Sequence, residues 1–274
     1  MPELPEVETI ARELRPHVEG RTILDAHVDW ARIIARPEED VERFCAGVRG
    51  RRITCVWRRA KFVVMDLDDG RHIVVHLRMS GRLVLSPNGL PQHLRVLFEL
   101  SGNGQLFFYC QRKFGRVWLV DDLDGVLGEL GPEPLSEAFT VERFQDMMAP
   151  RRGMIKPLLL NQRFLAGLGN IYVDESLFLA GLHPRRTVDT LSPQDVERLH
   201  GAIRHVLSHA LVHHGTSFDG IFVRPQGEQG RQQEGLCVYG QVGEPCVRCG
   251  TPIERDVVGG RGTHFCPQCQ GLGW

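Results

Sequence analysis

Four cysteines near the C-terminus constrain this chain more than any other feature. Cys246-x-x-Cys249 and Cys266-x-x-Cys269 are separated by sixteen residues, the spacing of a four-thiolate zinc ribbon. Each Cys-x-x-Cys pair turns tightly enough for both sulfurs to reach one tetrahedral ion, and Gly250 and Pro267 suit the knuckle turns. Two disulfides are the competing use of four cysteines, and a cytosolic setting disfavours them. Four thiolates leave no open position for water, so a single Zn2+ held here is structural. It supplies folding energy to a segment with too few apolar residues to fold unaided. Between the knuckles, Gly259-Gly260-Arg261-Gly262-Thr263 predicts a hairpin with Arg261 at its tip, a good place to reach a phosphate. A ribbon alone specifies binding of nucleic acid or protein and nothing finer. Cys45, Cys55, Cys110 and Cys237 are scattered and read as reduced thiols.

The 274 residues are enough for two domains of ordinary size. With 42% hydrophobic and 24% charged residues the composition is that of a soluble globular protein. No apolar run approaches the roughly 18 residues of a membrane span. The N-terminus is acidic, with Glu3, Glu6 and Glu8, and has no apolar signal region, so a cytoplasmic location is expected. A net charge of −1 argues weakly against a polyanionic partner, but distribution matters more than the sum. Arg49, Arg51, Arg52, Arg58, Arg59 and Lys61 occupy thirteen positions without an acid, and Arg151, Arg152, Lys156 and Arg163 form a second acid-free stretch. The acids Asp121, Asp122, Asp124, Glu129, Glu133, Glu137 and Glu142 lie together elsewhere. Such segregation suits a basic groove with an acidic back.

Leu4, Val7, Ala11, Leu14 and Val18 recur at intervals of three and four, which predicts an N-terminal helix begun by Pro5 and ended at Gly20. Short apolar or alternating runs follow: Ile23–Val28, Ile53–Trp57, Phe62–Leu67, Ile73–Leu77, Leu83–Leu85, Arg95–Leu100, Leu106–Tyr109 and Arg116–Val120. Strands at this spacing indicate a β-sandwich or barrel. The pattern changes at Gly131-Pro132-Glu133-Pro134, a linker. Helices are expected beyond it over Thr140–Met148, Ile155–Gln162 and Ile171–Ala180, and from Pro193, with Ser192 as N-cap, to about His213. Gly215 to Gly235, with five glycines and little periodicity, reads as a functional lid or a disordered loop.

Met1-Pro2-Glu3-Leu4-Pro5-Glu6 is the most informative segment. A small second residue normally permits removal of Met1, which leaves a prolyl secondary amine. An α-amino group has a pKa of about 8, so a useful neutral fraction exists near pH 7. Such an amine can attack a sugar C1′ and form an iminium, as catalytic lysines do with carbonyl carbons. Pro2 taken alone reads first as a residue that aids processing or starts the helix.

The chain closely resembles the formamidopyrimidine-DNA glycosylases. The likeness runs from Met1 to Gln270 through Pro2-Glu3-Leu4-Pro5-Glu6-Val7-Glu8-Thr9, Arg58-Arg59-Ala60-Lys61-Phe62 and His76-Leu77-Arg78-Met79-Ser80-Gly81. It continues through Leu130-Gly131-Pro132-Glu133-Pro134-Leu135, Gly167-Leu168-Gly169-Asn170-Ile171-Tyr172 and the cysteine segment. The resemblance implies a multidomain α+β fold: an N-terminal helix and β-sandwich over 1–131, a helix–two-turns–helix domain with a lesion-covering loop over 136–235, and a zinc finger over 237–271. It implies a bacterial, cytoplasmic, monomeric enzyme acting on double-stranded DNA with an oxidised base, the DNA lying in a cleft between domains. Pro2 is then the nucleophile and Glu3 the acid, with Glu6 as structural companion. Lys61 serves β-elimination and Arg261 δ-elimination. His76, His93, Arg151, Lys156 and Asn170 resemble DNA-contacting positions, although His76 within an apolar strand also suits a satisfied core histidine. Met79, Arg112 and Phe114 resemble the triad that fills the hole left by a flipped base and holds its orphaned partner.

One departure stands out. Where the family usually has Asp, a variable residue, Arg, a variable residue, Phe and Gly, this chain has Cys110-Gln111-Arg112-Lys113-Phe114-Gly115. Loss of the aspartate is expected to remove a charged partner from neighbouring basic groups and to loosen Arg112. Two other functions fit parts of the pattern. The endonuclease VIII-like branch, which prefers oxidised pyrimidines, shares Pro2-Glu3 and the finger, but Leu4 and Arg112-x-Phe114 favour the purine branch. A non-catalytic damage-binding protein would leave the coexistence of Pro2, Glu3, Lys61 and Arg261 without a reason.

Overall fold

The apolar stripe at the N-terminus forms α1 (Leu4–Val18) in the computed structural model, which describes residues 1–87, 91–218, 220 and 222–271. Pro5 lies in its first turn, Glu3 and Glu6 close a reciprocal capping box, and Val7, Ile10, Ala11, Leu14 and Val18 are fully buried. The alternating runs become β1 (Ile23–Val28), β2 (Ile34–Arg36), β3 (Ile53–Arg59), β4 (Phe62–Leu67), β5 (His72–His76), β6 (Gly81–Val84), β7 (Leu94–Leu100), β8 (Gly104–Cys110) and β9 (Arg116–Val120). One sheet has the order β1-β7-β8-β6 and is antiparallel. The other, β2-β9-β5-β4-β3, is antiparallel apart from the β2–β9 pair.

Period-two burial makes the sandwich. Val63 and Met65, Ile73 and Val75, and Val117 from one sheet join Val96, Phe98, Leu106 and Phe108 from the other and the buried face of α1 in one core. Two short helices were not expected from the sequence, α2 (Val41–Val48) and α3 (Asp124–Leu127). The first is capped by Asp40, whose carboxylate accepts from Arg43 N at 2.9 Å, and it buries only Phe44 and Val48. Two apolar anchors are too few to establish a period.

The compact units divide the chain differently from the expected boundaries. The first joins Met1–Glu129 to His213–Arg231. The glycine-rich segment expected to belong with the helical domain therefore packs with the sandwich. Phe222 enters the sandwich core, Leu85 N donates to Pro225 O at 2.8 Å, and Arg224 pairs with Glu13 at 2.6 Å. Positions 219 and 221 of that segment lie outside the described residues.

The second unit contains Leu130–Val212 and Gln232–Trp274. It holds α4 (Val141–Met148), α5 (Ile155–Leu160), α6 (Asn170–Ala180) and α7 (Pro193–Val212), then the hairpin β10 (Glu254–Val258) and β11 (Arg261–Phe265). At the start of α7 Ser192 and Asp195 cap each other reciprocally, and Leu199, Ile203, Leu207 and Ala210 supply its buried stripe. The turn before α6 is held by Gln162, which accepts from Gly167 N at 2.9 Å and donates to Leu168 O at 2.7 Å. Among the described residues no helix is long and apolar enough to cross a membrane.

Candidate active site and metal centre

Pro2 and Glu3 are buried at the positive end of α1. While Met1 is attached the Pro2 nitrogen is an amide, and only its removal creates an amine. Glu3 N donates to Glu6 Oε2 at 2.7 Å, and Glu6 Oε1 accepts from Thr216 N at 2.7 Å. One carboxylate thus ties the Glu3 backbone to the glycine-rich segment. Gly215 (φ +79) is required beside it, because a Cβ there would lie 2.7 Å from Glu6 Oε1.

Two residues on, Glu8 accepts from Arg58 at 2.8 Å and from Arg12 at 2.7 Å. Burial pushes the Glu8 carboxyl up, but Arg58 and Arg12 outweigh it and hold the carboxyl below the usual range. Arg58 Nη1 also donates to Ala60 O at 3.1 Å, in the left-handed turn between β3 and β4. That turn carries Lys61, which is buried. Glu8 and Arg58 thereby tie the first turns of α1 to the lysine turn, a role sequence reasoning missed although Arg58 stands in the Arg58-Arg59-Ala60-Lys61-Phe62 motif. The first acid-free stretch is not one free basic patch. Arg49 pairs with Asp25 at 2.6 Å, Arg51 with Asp69 at 3.1 Å and Arg58 with Glu8.

His76, at the end of β5, is buried against the edge of Phe62, and its Nδ1 accepts from Arg78 N at 3.0 Å. Burial, with the Arg78 and Lys61 charges behind it, lowers its pKa to about 3, so the ring is neutral and carries its proton on Nε2. It is a hydrogen-bond donor there and not a cation. Met79, Arg112 and Phe114 are exposed on two turns of the same unit. Arg112 Nη1 lies 3.7 Å from Met79 Sδ, and Arg112 N donates to Ser80 Oγ at 3.0 Å. His93 is half-buried at the end of the 3-10 turn Pro91–His93. At the root of the turn that carries Arg112 the Cys110 thiol is fully buried, and Gly115 N donates to its Sγ at 3.3 Å.

In the second unit the sulfurs of Cys246, Cys249, Cys266 and Cys269 lie within 4.8 Å of one another. Backbone N–H groups of Arg248 and Cys269 point at Cys246 Sγ and Cys266 Sγ, each at 3.4 Å, as in metal-binding knuckles. The donor set fits one tetrahedral ion. Arg261 is exposed at the tip of the β10–β11 hairpin, and Arg151 is exposed over the Phe164 ring. Asn170 opens α6, with its Nδ2 donating to Gly262 O at 2.8 Å.

Lys156 departs from expectation. Its ammonium is fully buried and donates to Asp174 Oδ1 at 2.6 Å, Thr263 Oγ1 at 2.8 Å and Gly262 O at 2.9 Å. All three of its protons have acceptors inside the protein, an arrangement the resemblance to a DNA-contacting position did not anticipate. It is a strut between α5, α6 and the hairpin. Its partner Asp174 and the adjacent Glu175 were also missed, and two acids inside the apolar run of α6 were the available signal. Glu175 accepts from the N–H groups of Cys237, Val238 and Tyr239, all at 2.8 or 2.9 Å. Burial nevertheless raises its pKa.

Comparison with known proteins bears on this arrangement directly. Residues 1–117 match the formamidopyrimidine-DNA glycosylase N-terminal domain, 130–220 its H2TH domain, and 243–271 the zinc finger found in FPG and IleRS. The chain belongs to the formamidopyrimidine-DNA glycosylase family. It is similar to the formamidopyrimidine-DNA glycosylase of Pelotomaculum thermopropionicum, 44% identical over 276 residues that cover 98% of this chain and 99% of the relative. Among solved structures, MutM (Fpg) of Thermus thermophilus superposes with a TM-score of 0.89 at 42% identity, covering all of both chains. The Lactococcus lactis Fpg bound to abasic-site DNA gives 0.88 at 35%, covering 98% and 99%. This family member is accordingly an enzyme of DNA repair, with a four-cysteine finger.

Proposed function

We propose that this glycosylase removes oxidised purines, 8-oxoguanine and formamidopyrimidines, from duplex DNA and then cuts the abasic site by β,δ-elimination. The observation that carries the proposal is a buried Pro2 behind a removable Met1, followed by buried Glu3 and tied through Glu8 and Arg58 to the Lys61 turn. The freed secondary amine attacks C1′, the glycosidic bond breaks, and the base leaves with its electron pair and gains a proton. Glu3 protonates the sugar ring oxygen as the ring opens to the iminium. Lys61 serves removal of the C2′ proton and loss of the 3′ phosphate. Arg261 serves loss of the 5′ phosphate.

Base extrusion requires Met79, Arg112 and Phe114 to fill and read the gap. Their exposure and the 3.7 Å approach of Arg112 to Met79 support this. His76 as a neutral donor, His93, Arg151 and Asn170 contact the DNA backbone. The bound ion is one structural Zn2+, held by Cys246, Cys249, Cys266 and Cys269. The enzyme acts as a monomer in the bacterial cytoplasm, at the nucleoid.

Sodium borohydride trapping on a duplex with 8-oxoguanine opposite cytosine tests the mechanism. The expected result is a protein–DNA cross-link through residue 2, abolished when Met1 is retained. A cross-link mapped to Lys61 overturns the assignment. A solved relative, the Lactococcus lactis Fpg, is known with DNA containing an oxidised pyrimidine, so single-turnover assays include that lesion. Faster cleavage of it than of 8-oxoguanine would overturn the purine preference.

A further inference from the structure

We propose that Arg95 is the positioning residue of the loop 111–115, the loop that carries Arg112 and Phe114, with Asp29 as its counter-ion. The pairing of β7 with β8 is interrupted between Leu94 and Val96, whose partners Tyr109 and Phe108 are adjacent. Arg95 is therefore the extra residue of a β-bulge, a device that re-aims a side chain. The re-aimed guanidinium is buried. Its Nε donates to Cys110 O at 3.1 Å, at the root of the loop. Nη1 donates to Asp29 Oδ2 at 2.7 Å and to Leu94 O at 3.1 Å, and Nη2 to Gln92 O at 3.1 Å, in the turn that ends at His93. Asp29 N returns a bond to Arg95 O at 3.1 Å.

One planar cation thus joins the reading loop, the His93 turn and the end of β1. Only a guanidinium presents donors in a rigid fork suited to this. The next residue, Trp30, packs against the sandwich core, with Lys113 Nζ 5.4 Å and the Arg116 guanidinium 5.9 Å from its ring centre. Where the family usually has an aspartate at the loop root, Cys110 cannot balance a buried cation. Asp29 supplies that carboxylate from just beyond β1, so the loop is anchored by a different set of contacts.

The proposal rests on the base-excision reading for its kinetic arm, and a spectroscopic arm stands apart from it. Full-length protein with Met1 removed is labelled with fluorotryptophan, and the Trp30 resonance is assigned with Trp30→Phe. Arg95→Met is expected to move that resonance and to lower the ratio of 8-oxoguanine cleavage opposite cytosine to that opposite adenine by about tenfold, the worth of one charge-assisted hydrogen bond. Cleavage at a ready-made abasic site, which needs no partner reading, should change less than about twofold, well short of that tenfold worth. Arg95→Lys should fail to rescue, because an ammonium cannot span the acceptors. Asp29→Asn, at an exposed carboxylate, should act in the same direction and more weakly, and it carries the test if Arg95→Met does not fold.

An unmoved Trp30 resonance with an unchanged partner-base ratio in folded Arg95→Met overturns the proposal, as does full rescue by Arg95→Lys. If the wild type cleaves no 8-oxoguanine, the base-excision reading falls and the fluorine spectrum alone decides on Arg95.

Discussion

Lys156→Met is expected to destabilise the finger-bearing hairpin and to leave the electrostatics of DNA binding alone. The magnitude follows from the burial. Both Lys156 and Asp174 side chains have no solvent exposure, and breaking such a pair from one side costs about 3–5 kcal/mol, because a charge is left buried and uncompensated. Asp174 would retain only the His264 N–H at 2.9 Å and the His264 ring at 3.2 Å. Gly262 O would keep Asn170. A protein with two units has no single unfolding free energy, so the measurement is hydrogen exchange of the β10 and β11 amides in the metal-loaded full chain. The double variant Lys156→Met with Asp174→Asn should cost less than the sum of the single changes. In parallel, the slope of log binding constant against log salt should stay unchanged in Lys156→Met, whereas neutralising exposed Arg151 should make it shallower by about 0.9. Intact hairpin protection in Lys156→Met together with a shallower salt slope would refute the reasoning and return Lys156 to the phosphate.

One zinc per chain is expected by elemental analysis, and Cys249→Ser should lose both the metal and tight DNA binding while the sandwich stays folded; full activity of metal-free protein would contradict this. His76 adds a pH signature. Its folded-state pKa of about 3 lies below the ordinary 6.5, so the unfolded chain binds more protons between those values. Stability from this group is therefore complete above about 6.5 and is lost as pH falls toward 3. His76→Gln should flatten the acid limb of a denaturation curve, and an unaltered limb would show that the ring is protonated in the fold.

Legibility followed periodicity. The stripe of α1, the paired cysteines and the strands with strict alternation were readable because each repeats a local rule several times. The short α2, with Phe44 and Val48 as its buried anchors, repeats nothing. Motifs singled out candidate site residues, but not the environments the fold gives them. Lys156 looks like any basic residue in an acid-free stretch until Asp174, eighteen positions away, is brought against it. Arg95 has no motif at all, since its meaning comes from a bulge that sets it beside Cys110. Partnerships over long sequence separation are fixed by tertiary packing, and a single sequence does not print them.

The return of His213–Arg231 to the first unit has a consequence for the order of synthesis. The ribosome releases the whole sandwich before α4, yet the sandwich core lacks Phe222 and Leu85, just after β6, lacks its Pro225 partner until α7 has emerged. The N-terminal unit therefore waits, incomplete, while the helices of the other unit are made. Glu6 and Glu13, two helical turns apart on α1, are the cleats to which the late segment is finally tied at Thr216 and Arg224. A nascent chain stalled before residue 213 would expose an unfinished apolar seam to chaperones, and the N-terminal helix would be the last surface to close.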